Sequence, residues 1–280
     1  MSRDPTRHPC IERARDDDAQ EASERASDDA QEASERASDD AHEASERASD
    51  DAQEAIPRAA RALRDGDLAR AESLVEPFVD DERFGARALR VLAATRLKGG
   101  RAEGALSIFV MARARVDRDL AHTDARALAA DLDHRIGHLA HTLDRVALAE
   151  RAYRACIARA PSASLIARAR HDLGVLLVEE ERLEEATRVL HRALAERERV
   201  FGLGSRETAR TLRELAVVAE EQGGRDRARA FYERALFALG HEDRALRARI
   251  MSERSRMLRA REKSTTTTKR AHARAKEALT

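Results

Sequence analysis

Residues 173–193 read LGVLLVEEERLEEATRVLHRA, and residues 215–235 read LAVVAEEQGGRDRARAFYERA. Laid over each other, they share a Leu followed by a small residue and an alanine thirteen positions after that Leu. A large side chain follows the alanine by four and a small one by seven. The same register occurs twice upstream. The four pairs are Leu92-Ala93, Ile136-Gly137, Leu173-Gly174 and Leu215-Ala216. The alanines are Ala105, Ala149, Ala186 and Ala228; the large residues Phe109, Tyr153, Leu190 and Tyr232; the last small ones Ala112, Cys156, Ala193 and Ala235. Four segments agreeing at four offsets form a repeat architecture. It points to binding rather than catalysis, because stacked helix pairs make an extended surface and not a closed pocket.

Physically, the pattern describes two helices joined by a turn. A small residue on the first lets the second approach closely. The alanine marks the crossing, and the large residue lies one turn further along the same face. Neither helix buries its stripe alone, so neighbouring pairs must stack. Ala186 and Ala228 are expected to be fully buried.

Over residues 57–240 this pattern resembles the tetratricopeptide repeat (TPR) family. The alanine-to-alanine spacings from Ala71 are 34, 44, 37 and 42. The 42-residue spacing is similar to that of kinesin light chains, whose long second helix leads through a Gly-containing loop into a Thr-Ala helix start. Here that stretch runs Phe201-Gly202-Leu203-Gly204-Ser205-Arg206-Glu207-Thr208-Ala209, with Ser205-Arg206 where His-Pro is usual. Arg96 stands at a usually apolar site, and Asp144 replaces the usual turn glycine. The copy around Ala71 keeps the turn glycine Gly66 but is short. Pro57 favours a first helical turn, so its first helix is not expected to run back smoothly, and it reads as a shortened N-terminal capping repeat. The resemblance implies an all-α helix-turn-helix solenoid of four to five repeats and a partner peptide or helix held in a concave groove.

Composition agrees with close-packed helices. The chain has no Trp, 3% aromatics, five Pro and twelve Gly in 280 residues. The core must therefore be Leu, Ala and Val. Two cysteines, Cys10 and Cys156, make no disulfide framework. No apolar run approaches a membrane span, and the first eighteen residues are too charged for a signal peptide. A reducing bacterial cytoplasm is the expected setting. Net charge is zero but uneven: residues 1–56 carry 18 acidic and 7 basic side chains, residues 241–280 carry 5 and 12.

Residues 17–27, DDAQEASERAS, recur unchanged at 28–38, and again at 39–49 with His42 as the one difference. Eleven residues in three turns keep the alanines on a nearly straight helical stripe of coiled-coil type. Glu43–Arg47 and its counterparts are favourable i, i+4 pairs. Each copy nevertheless holds four acids to one arginine, and alanine buries little area. The stretch reads as an acidic helical or disordered arm over 17–56, after a disordered N-terminus at 1–16. Residues 241–263 read as a C-terminal capping helix, and 264–280 as a basic flexible tail.

The sharpest cluster of chemistry-bearing side chains is His134, His138 and His141, spaced four and three apart on one helical face. They lie off the packing stripe, as does His171 in the next repeat. With Arg90 and Arg213, also on first helices, they make the expected partner-binding groove. An alternative reading is a metal-binding or signalling regulator centred on His134, His138 and His141, since imidazoles at helical spacing suit zinc or nickel. No phosphate-cradling or nucleophile-elbow motif is present. No enzyme activity, cofactor, nucleic-acid partner or membrane contact is expected. The chain reads as a protein-binding scaffold or adaptor of unspecified oligomeric state.

Overall fold

The computed structural model describes the backbone of residues 9–116, 123–239 and 243–259. Among these residues there are helices and turns but no strand. The chain divides into two units, residues 1–58 and 59–280. The basic tail predicted at 264–280 lies outside the described residues.

The first unit is carried by α1 (Pro9–Asp65), whose last turns belong to the second unit. The eleven-residue repeats are helical in it. Arg47 donates to Glu43 at 2.8 Å, as the i, i+4 spacing predicts, and His42 lies 3.3 Å from Glu46. Pro57 sits inside this helix rather than in its first turn. That corrects the expectation of a break. A proline removes one backbone hydrogen bond and crowds one carbonyl, and strong helix formers on both sides, among them Ala52, Ala55, Ala59 and Ala62, hold the helix through it.

The second unit is a row of helix–turn–helix pairs. The end of α1 turns at Gly66 into the short α2 (Leu68–Val75). Then come α3 (Gly85–Lys98) with α4 (Ala102–Val116), and α5 (Thr123–Thr142) with α6 (Val146–Arg159). They are followed by α7 (Ala163–Glu179) with α8 (Leu183–Phe201), α9 (Arg206–Glu221) with α10 (Arg225–Leu239), and finally α11 (244–259). One apolar cluster runs through the pairs from Leu89 to Met257.

The repeat register is the packing register. Ala105, Ala149, Ala186 and Ala228 are all fully buried, as are Tyr153, Leu190 and Tyr232. A Cβ added at Gly137 would stand 2.6 Å from the Tyr153 ring, and one at Gly174 would collide with Leu190. The small residue of each pair is therefore where the second helix of that pair crosses.

Each hairpin turns on one left-handed residue, five positions before the crossing alanine. Gly66, Gly100 and Gly223 have φ of 90°, 79° and 76°; Asp144 and Glu181 take 58° and 57° at the same place. Asp144 thus fills the turn site without glycine's freedom. Arg96 is accounted for by Glu72, which it reaches at 2.6 Å from the next helix pair. In the 202–205 loop, Ser205 caps α9 by accepting from the Thr208 N–H at 3.1 Å, while the Thr208 hydroxyl donates to the Gly202 carbonyl at 2.9 Å.

Candidate functional site

The first helices α3, α5, α7, α9 and α11 stand side by side, and polar side chains join each to the next. Arg90 of α3 lies 3.5 Å from Asp131 of α5. From α5, His134 Nε2 meets Asp172 of α7 at 2.9 Å, and His141 Nε2 meets Glu179 at 2.6 Å. His171 Nδ1 of α7 lies 3.3 Å from the Thr211 hydroxyl of α9. Arg213 of α9 grips Glu253 of α11 with two bonds, Nε to Oε2 at 2.8 Å and Nη2 to Oε1 at 2.9 Å. A side chain on one first helix therefore contacts the next some forty positions on.

The six residues expected to line a groove do share this face, but five of them hold the stack together. His171 is buried, at 8% exposure. Burial pushes its imidazole down to about 3, and Arg197 adds to the effect, so it is neutral. A helical-wheel argument set it outside because it ignores the neighbouring first helix that covers it. Arg213 is also largely enclosed, clasped by Glu253 and by the adjacent Glu214. His138 alone of the three clustered histidines is exposed and has no protein partner among the described residues. The metal alternative needs the three imidazoles to converge. They do not: His134 and His141 each turn to a separate carboxylate on α7, and no group of three or more His, Cys, Asp or Glu side chains among the described residues could hold a metal ion.

Two buried polar centres went unnoticed in the sequence. Asp133 of α5 accepts from Arg113 Nε of α4 at 2.8 Å and from Arg159 of α6 at 3.1 Å. Burial raises its carboxyl despite both guanidiniums. Arg197 of α8 is 4% exposed; its Nη1 donates to the Glu207 carbonyl at 2.7 Å and to the Thr211 hydroxyl at 3.0 Å. Its guanidinium is pushed down to about 10, chiefly by burial. Cys156 is buried and its thiol is pushed up to about 12 by burial, which makes it inert rather than reactive.

A further surface lies on the second helices. Phe237 is 90% exposed beside exposed Leu203, with Glu198, Leu212 and Arg234 lining the same groove. Earlier repeats place Ala114, Ala158 and Ala195 at the position of Phe237. That departure was the available signal.

Comparison with known proteins agrees with this geometry. Residues 165–236 match the tetratricopeptide repeat family model. No curated protein sequence matches the chain. Among solved structures, BtubC (BKLC) from P. vanneervenii superposes with a TM-score of 0.55 at 23% identity, over 75% of this chain and 82% of that one. The nearly identical TPR-like repeats described for a kinesin light chain of Podosopora anserina give 0.54 at 16% identity, over 69% and 97%. YrrB, described as a TPR protein with an unusual peptide-binding site, gives 0.52 at 16%, over 71% and 90%. At these identities the likeness is one of fold. No described helix is long and apolar enough to cross a membrane.

Proposed function

We propose that this chain, built as a tetratricopeptide-repeat solenoid, is a protein-interaction scaffold that holds a partner peptide or helix along the face made by its first helices. The observation that carries the reading is the division of labour on that face. Arg90, His134, His141, His171 and Arg213 are committed to neighbouring helices and fix the spacing. His138, Arg168 and Arg210 stand exposed between them without protein partners among the described residues. A frame whose polar side chains engage neighbouring helices, carrying a few unengaged polar side chains, is a pre-organised recognition surface, because the ordering cost falls on the frame before the partner arrives. Stacked repeats supply such a surface along their length. We adopt the cytoplasm of a bacterium as the working setting; Cys156 is buried, and no described helix is long and apolar enough to cross a membrane. The identity of the partner is not implied by the fold.

A photo-crosslinking amino acid tests the reading. Placed at His138, it should capture a discrete partner polypeptide in cells. Placed at Arg188, exposed on the second helix α8, it should not. Equal capture from both positions, or capture from neither, would overturn the assignment of the partner to the first-helix face.

A further inference from the structure

We propose that the groove along α10 is a self-association site, in which a second copy of this chain seats its Phe237 against Ala230 and offers its own Ala230 to Phe237 here. The site lies on the second helices, away from the first-helix face, and is independent of the reading above.

Phe237 is the most exposed large apolar side chain among the described residues, at 90%, and Leu203 follows at 70%. Both line one groove, together with the exposed Ala230 and the buried Leu212. The other aromatic side chains of α10 have partners: the Phe231 ring lies 5.9 Å from that of His191, and Tyr232 is fully buried. Slack backbone does not explain the exposure either. Leu203 belongs to a loop braced at both ends, where the Gly202 carbonyl accepts from the Thr208 hydroxyl at 2.9 Å and Ser205 caps α9. Large apolar side chains held together in water mark an interaction surface.

Shape and charge name the occupant. Ala230, Arg234 and Phe237 follow one another at i, i+4 and i+7 on the outer stripe of α10, all exposed, while Ala228, Tyr232, Ala235 and Leu239 face the core. The stripe therefore carries a large side chain at one end and a small one at the other. Two α10 helices laid antiparallel about a two-fold axis near Arg234 bring each ring to the other copy's alanine. Reciprocal contact of this kind defines a two-fold interface. Near the axis each side chain meets its own counterpart, so an unmatched charge there would repel a second copy. None is left unmatched on these flanks: Arg234 is held by Glu198 at 3.2 Å, and Glu233 by Arg254 at 3.0 Å. A strongly charged partner would find no free counter-charge on this rim, whereas a second copy brings the same neutral rim and the matching ring. The preceding pairs carry Ala114, Ala158 and Ala195 where Phe237 stands. The ring is thus confined to one pair, and a reciprocal contact closes at two copies instead of propagating.

Sedimentation of the full chain, from low micromolar to near-millimolar concentration, tests the proposal. Wild type is expected to approach the mass of two chains as concentration rises. F237A removes the ring from both copies at once and should weaken association by at least about ten-fold. A230F should weaken it by a similar factor, because the added ring occupies the seat. M111A, at an exposed apolar side chain of α4, should leave it unchanged. All three sites are exposed, so the variants should melt with the wild type. A wild type that stays a single chain throughout would give the groove another occupant and overturn the proposal. F237A associating as tightly as wild type would also overturn it, by placing the contact elsewhere in the chain. Loss of association in F237A but not in A230F would overturn the pairing of Phe237 with Ala230.

Discussion

Gly137 and His171 show how single residues set the stack. At Gly137 a methyl group would meet the Tyr153 ring at 2.6 Å. The equivalent residues Ala93 and Ala216 already carry that methyl opposite Phe109 and Tyr232, whereas Gly174, like Gly137, lacks it and has no room for it. Gly137→Ala should therefore cost about 1–3 kcal/mol through overpacking. Urea denaturation checks this, and an unchanged midpoint would show that Tyr153 yields freely. His171 makes a prediction about pH. Its folded pKa is depressed to about 3 by burial, against about 6.5 unfolded. Below about pH 6.5 the unfolded chain takes up a proton that the folded one refuses, so stability falls as pH drops from 6.5 toward 3. The slope is at most about 1.4 kcal/mol per pH unit for one such group. His171→Gln should remove that slope. Denaturation curves of both chains at pH 7, 6 and 5 would show the difference, and parallel losses would place the titration elsewhere. The sequence made the crossing residues legible because they obey a period. It could not reveal that His171 is buried, since its cover comes from Thr211, forty positions away, and no local pattern encodes a neighbour at that distance.

At the scale of elements, the hairpin turns are more uniform than their residues. Five turns take a left-handed residue at the same offset from the crossing alanine, yet two of them use Asp144 and Glu181. Glycine accepts this conformation without strain, and aspartate tolerates it better than glutamate, whose side chain cannot bond its own backbone in the turn. Glu181→Gly should consequently stabilise the protein by up to about 1 kcal/mol, with a smaller gain for Asp144→Gly. Gly100→Ala should lose a similar amount. Thermal melts of the three variants rank them, and a destabilised Glu181→Gly would mean that the side chain contributes a contact outweighing the strain. Helix number and order from α3 to α10 followed from the alanine register alone. Pro57 misled because a proline signals a boundary only on average; the flanking alanines carry α1 through it. The polar pairs between first helices were illegible for a different reason. Each partner taken alone, His134 or Asp172, reads as an ordinary solvated residue.

Across the whole molecule, stability is expected to be local. Each helix pair touches only its neighbours, so the stack behaves as a chain of coupled units rather than one cooperative core. The C-terminal end gives a clean test. Residues 244–259 form the last first-type helix, packing Ile250 and Met257 into the terminal pair while Glu253 receives both bonds from Arg213. Ile250 is fully buried, and Ile250→Ala should cost about 2–4 kcal/mol of the local stability. The loss should be read first where Ile250 sits. Hydrogen exchange should accelerate in α9, α10 and α11, while α3 and α4 keep wild-type protection. A uniform acceleration throughout residues 85–259 would show instead that the pairs melt together. In that case the recognition face would be a single rigid body, and substitutions near either end, those at Arg210 included, would alter partner binding along its full length.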